Sequence, residues 1–322
     1  MSPNTLRFGV EIELLLGSRK KTYPNWKTLA KDVSKRLAKA GVANHVNDTN
    51  DKSPDNYREW SVVPEVTIPS QPAKNLWGIE LVSPVYLVSS YWAADLDAVF
   101  EALRSGGFQI VPSPHCSTHV HISGHPQPLA AAGLAALAKA ALYYESALDL
   151  LVPDARRGSV AYWCQSNRAS PRIAGYSLAE CLAQLDDAST GSARDVVECV
   201  NMFPASSAYG RAHGKQKDFI RGKVYKWDLS GMVPGGSGSD KNVKGTVEFR
   251  QPAGSVSADE ASAWVTLAAA FVAGAMVVGP SLGGVGEQGA SAEELWALLT
   301  TGGEVLGWES LGGVEVLFAR GG

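Results

Sequence analysis

Three short segments of this 322-residue chain repeat one pattern: Val10-Glu11-Ile12-Glu13, Thr118-His119-Val120-His121 and Val247-Glu248-Phe249-Arg250. In each, two polar side chains stand two positions apart around an apolar one. An extended strand suits that period, because its successive side chains point to opposite faces. The pattern predicts a sheet that buries Ile12, Val120 and Phe249 on one face and carries Glu/Glu, His/His and Glu/Arg on the other. A strand half-buried against water alternates in the same way, but its outward positions usually take Thr, Lys, Ser or Gln. Here they take metal-ligand types and one arginine.

Two more carboxylates belong beside these. Glu80 lies in Gly78–Pro84, an apolar strand in which an ionised side chain is costly unless paired or metal-bound. Glu65 follows Pro64 at a bend in the segment WSVVPEVT. Carboxylates that converge on one sheet face raise one another's pKa, and divalent cations remove the conflict. Oxygen-rich ligation with one or two imidazoles suits Mg²⁺ or Mn²⁺ better than a closed zinc site, which would favour cysteine. Such a face repels a bare nucleotide and accepts one bridged by metal. Arg250 would then fork onto a phosphate oxygen; the plainer reading is an ion pair with Glu248.

Strand and helix signals surround the motifs. Strands are expected at Phe8–Leu16, Tyr57–Val63, Gly78–Val82, Phe108–Val111, Thr118–Ser123, Gly245–Gln251 and Val314–Phe318. Helical spacing marks Trp26–Leu37, Trp92–Leu103, an alanine-rich run from Pro128 to Leu151, Ser177–Leu185, Ala193–Met202 and Ala292–Leu299. Val233–Asn242, rich in glycine and serine, reads as a mobile loop. No strict βαβ rhythm appears. The expected class is α+β, a largely antiparallel sheet with the active site on one face and helices on the other.

Charge and hydropathy narrow the partners. The formal net charge of −3, with no basic run longer than Arg19-Lys20-Lys21, predicts no nucleic-acid partner. Residues Ala261 to Gly279 carry no charge but are dominated by alanine and glycine and lack a basic flank. They read as a helix buried against a sheet, with no membrane partner. No secretory leader is recognised, and the four cysteines show no CxxC spacing. The expectation is a cytoplasmic protein with reduced thiols.

FGVEIEL, WSVVPEVTI, GIELVSP, THVHIS and VEFRQP, in that order before a long apolar helix, resemble the putative amidoligase family, which is grouped with glutamine synthetase and gamma-glutamylcysteine ligase. The resemblance runs from about Arg7 to about Val278. It implies a sheet core like theirs and a carboxylate–amine ligase using ATP and Mg²⁺ or Mn²⁺ through an acyl phosphate. By position it implies Glu11, Glu13, Glu65, Glu80, His119, His121 and Glu248 as metal ligands, with either histidine of the pair sufficing. It implies Arg250, His119 and Lys226 at the nucleotide, and Arg250, Glu65 and Glu248 in catalysis. Glu65-Val66-Thr67 stands where the family usually has Asp, Gly and Ser, and Asp228 where it usually has Asn.

One catalytic domain over residues 1–322 is expected, with a loop-rich insertion at 153–244 recognising small-molecule or peptide carboxylates and amines. That insertion holds a polar-aromatic cluster (Tyr162, Trp163, Gln165, Asn167, Arg168) and a basic one (Arg211, His213, Lys215, Lys217, Arg221). The same motifs leave open a phosphotransferase acting on guanidino or amino groups, a metal hydrolase, and a non-catalytic binding relative. Oligomeric state is open.

Overall fold

The alternating run at the start forms a long strand, β1 (Leu6–Ser18), and the computed structural model describes residues 6–234 and 243–319. Val10, Ile12, Leu14 and Leu16 are buried along one side of β1, where Phe8 meets Trp92 edge to face at 5.1 Å. Glu11 and Glu13 take the alternate positions. The period-two reading of this segment therefore holds.

The rest of this part follows in chain order. Helix α1 (Trp26–Lys39) starts where the Asn25 side chain accepts the Thr28 N–H, and the chain leaves it through Gly41 at φ 81°. Next come β2 (Asn44–Val46), β3 (Trp60–Pro64), β4 (Leu76–Val82), β5 (Tyr86–Leu87), α2 (Trp92–Gly106), β6 (Phe108–Val111) and β7 (Thr118–Gly124). β1 pairs antiparallel with β4, β5 and β6; β4 pairs antiparallel with β3, which β2 joins in parallel. Residues 54–57 form a 3₁₀ turn, so the strand expected from Tyr57 begins instead at Trp60.

Beyond β7 lie α3 (Ala131–Tyr143), α4 (Glu145–Asp149), α5 (Leu178–Ser189), α6 (Ala193–Val200), β8 (Met202–Phe203), α7 (Ala208–Ala212), β9 (Phe219–Ile220), β10 (Trp227–Asp228), β11 (Val247–Phe249), α8 (Ala258–Val278), α9 (Ala292–Leu306) and α10 (Glu315–Phe318). The alanine-rich helix is interrupted at Tyr144, and β11 is shorter than expected. Val314–Phe318 is a helical turn, not a strand: Val314 and Leu317 are buried while Val316 is exposed, a spacing of three rather than two. Of the glycine- and serine-rich loop, residues 235–242 fall outside the described residues.

Two units divide the chain, one through Arg7–Val120 and Pro252–Thr266, the other through His121–Gln251 and Leu267–Gly322. The boundary inside β7 has no linker signature, and residues 153–244 belong wholly to the second unit. The architecture is mixed α and β with a mostly antiparallel sheet. Helix α8 is long and apolar enough to cross a membrane, but 78% of its apolar window is buried inside the protein. One glycine on each helix lets α8 and α9 approach: a Cβ on Gly302 of α9 would stand 1.8 Å from the Ala270 carbonyl oxygen, and one on Gly274 of α8 2.4 Å from that of Leu298. Trp227 stacks with both Phe249 and Phe271 and ties α8 to β10 and β11.

Candidate active site

In the first unit the register of β1 and β4 sets Glu13 directly opposite Glu80. Facing residues of an antiparallel pair share one side of the sheet, so the two carboxyl groups meet. His119, at the start of β7, presents Nδ1 3.4 Å from Glu11 Oε2 and 3.9 Å from Glu13 Oε1. Glu13 also accepts the Ser117 backbone N–H at 2.7 Å, while the Glu13 N–H donates to the Ser117 carbonyl at 3.0 Å. Glu13, Glu80 and His119 are 7%, 5% and 5% exposed. One ligand atom from each lies within 4.8 Å of the others, the geometry of a possible metal-holding group.

Glu80 feels this crowding most. Burial pushes its carboxyl well above the ordinary 4.5, and the charges of Glu11, Glu13 and Glu65 push the same way against the pull of Lys52. Glu65 reaches Glu80 through its charge. Its Oε1 closes its own turn, accepting the Thr67 N–H at 2.6 Å and the Thr67 hydroxyl at 2.5 Å. The expected ligands Glu13, Glu80 and His119 thus come together with Glu11 beside them. Glu65 is not in that group.

In the second unit Glu248 on β11 stands opposite Asp228 on β10. Glu248 Oε1 lies 3.7 Å from His121 Nε2, and the Arg250 guanidinium is bonded to Glu248. Burial, then the neighbouring Glu248, raises the Asp228 carboxyl; the Ser230 N–H bond and Arg250 oppose the shift. Lys226 Nζ sits between Glu145 Oε1 at 2.6 Å and Asp149 Oδ1 at 2.5 Å. Its charge is engaged by these two carboxylates and fastens the start of β10 to α4.

Sequence reasoning missed the mounting of Arg250. Arg156 donates through Nε to the Gln251 carbonyl at 2.7 Å and through Nη2 to the Arg250 carbonyl at 2.9 Å. Arg250 N–H donates to the Lys226 carbonyl at 2.8 Å, and the Gln251 side chain donates to Asp149 at 2.5 Å. The buried Arg250 therefore rises from a backbone held on several sides. Asn167, expected at the substrate, instead bonds both backbone groups of Trp227. His45 is held by Glu59, Asn56 and Ser61.

Gly222 is another missed residue. A Cβ there would stand 1.5 Å from Asp228 Oδ1, so any side chain displaces that buried carboxyl. Gly222→Ala should cost about 2–4 kcal/mol in urea unfolding; a loss under about 0.5 kcal/mol would show that Asp228 moves aside freely.

A family model described as putative amidoligase enzyme matches residues 4–173, just over half of the chain. The matched stretch contains Glu11, Glu13, Glu65, Glu80, His119 and His121, and ends before Lys226, Glu248 and Arg250. No curated protein matches the chain.

Proposed function

From the fact that this chain belongs to the putative amidoligase enzyme family, we propose that it joins a substrate carboxylate to an amine at the expense of ATP. The observation that carries this reading is the buried Glu13–Glu80–His119 group, with Glu80 pushed upward by the carboxylates around it. Two carboxylates and one imidazole, with Glu11 adjacent, form a hard, oxygen-rich donor set that fits Mg²⁺ or Mn²⁺. When bound, such cations neutralise the triphosphate and polarise the phosphoryl group that is transferred.

The chain's own residues would hold and orient. Glu13 is fixed by the Ser117 N–H, and His119 is oriented by Glu11. Arg250, on its braced backbone, is assigned to the phosphate charge and Glu248 to a cation. The γ-phosphoryl passes to a carboxylate oxygen as ADP leaves. The amine nitrogen then attacks the acyl carbon, phosphate departs, and the nitrogen loses a proton, for which Glu65 and Glu248 are the candidate acceptors. We also read the sheet, with carboxylates on one side, as a catalytic core of the glutamine synthetase kind.

The test is an assay of the purified chain with ATP, Mn²⁺ and panels of carboxylates and amines. Release of ADP and phosphate should require both substrates, and mass spectrometry should find an amide. A stable phosphorylated product would mark a phosphotransferase instead. Absence of nucleotide binding in calorimetry with Mn²⁺ would remove both readings.

A further inference from the structure

Most arginines and lysines whose contacts are described have a carboxylate opposite them, as Arg168 has Glu287 and Arg172 has Glu198. The stretch from Phe203 to Val224 departs from this habit. Up to Arg221 it holds Arg211, Lys215, Lys217 and Arg221 against Asp218 alone, in a chain of net charge −3. Asp218 is itself engaged, accepting the Ala205 N–H at 2.7 Å. Among the described residues, Arg211, Lys215, Lys217 and Arg221 enter no ion pair.

Two of these cations, Lys215 and Arg221, lie over aromatic rings. Phe203 and Phe219 face each other across β8 and β9 with ring centres 5.6 Å apart, and Tyr209 packs on Phe203 at 5.2 Å. The Arg221 guanidinium sits 4.8 Å from the Tyr209 ring centre and 6.0 Å from that of Trp163. Lys215 Nζ lies 5.2 Å from the Phe219 ring centre. Stacking on rings fixes a cation without neutralising it. Arg221 Nε, moreover, is shut away from solvent with no hydrogen-bond partner. Next to Arg221, Trp163 keeps 44% of its surface exposed and its neighbour Tyr162 keeps 40%.

We propose that this face binds an acidic peptide segment, glutamate or aspartate meeting the cations and an apolar side chain meeting Tyr162 and Trp163. If the ligase reading holds, that segment carries the reacting carboxylate. The spread of charge favours a peptide. One small carboxylate needs a single guanidinium fork, whereas here cations recur from Arg211 to Arg221. A long nucleic acid would have to continue onto a chain that is otherwise net acidic.

The probe is a fluorescein-labelled decapeptide alternating glutamate and phenylalanine, titrated with the full chain and followed by anisotropy. It should bind and weaken as salt rises, and its glutamine counterpart should bind about tenfold more weakly. Arg221→Gln and Trp163→Ala should each weaken binding by about tenfold. Lys215→Gln combined with Lys217→Gln, both at exposed positions, should do the same with an unchanged melting temperature. Equal binding of the two peptides, tighter binding of an oligothymidine, or indifference to the lysine pair would overturn the proposal. Binding is read without ATP, so its failure is separable from failure of the ligase reading.

Discussion

Glu80→Gln should stabilise the metal-free chain and, at the same time, remove nearly all of its affinity for Mn²⁺. The substitution keeps the shape of the side chain and removes a charge that the surroundings penalise. Glu80 is buried opposite Glu13, with Glu11 and Glu65 adding to the penalty, so its folded pKa lies well above 4.5. A group raised in this way binds more protons folded than unfolded. Its contribution to stability is present below the unfolded value and is lost as pH rises toward the folded one, at up to about 1.4 kcal/mol per pH unit. At neutral pH the wild-type chain bears that loss and the glutamine variant does not, so the variant should gain about 1–3 kcal/mol in denaturant unfolding. Divalent cation should reverse the order, because wild type alone recovers the charge as a ligand. Calorimetry should find affinity for Mn²⁺ reduced at least about a hundredfold. A variant that is less stable without metal and binds Mn²⁺ as before would show that Glu80 is a structural carboxyl.

Arg250→Lys should lower turnover by about a hundredfold to a thousandfold while leaving the fold intact. The lysine preserves one positive charge beside Glu248 but not the planar fork needed by a transferring phosphoryl group. If the arginine serves only as Glu248's ion-pair partner, lysine substitutes well and turnover stays within a few-fold. Arg250→Ala should be worse in both respects, since it leaves Glu248 and the raised Asp228 without that cation. Melting temperatures of the two variants, beside their ADP-release rates, separate the charge lost from the geometry lost.

Much of this site is legible in the sequence because its signals are local. Period two around Ile12, Val120 and Phe249 correctly predicts strands, and from strands it follows that Glu11 and Glu13 share a face. That Glu13 meets Glu80 depends on register, which no short motif carries. Lys226 shows the limit more sharply. Within its own segment it looks like a cation available for phosphate, yet its partners Glu145 and Asp149 come from a helix far back in the chain. Arg156 is likewise unreadable, since its role is defined by two backbone carbonyls that have no sequence signature. Val314–Phe318 was open to misreading because four apolar residues around Glu315 fit either period. Burial of Val314 and Leu317 decided for the helix.

The glycine-lined seam between α8 and α9 also bears on how a cell makes this protein. During synthesis α8 emerges before α9, an oily cylinder that β10 and β11 cover only in part. To the machinery that sorts newborn chains it resembles cargo for a bilayer, and the later arrival of α9 covers the glycine-lined side that is still open. Holding chaperones therefore have a natural client here, and any delay between the two segments exposes the nascent chain to misdelivery.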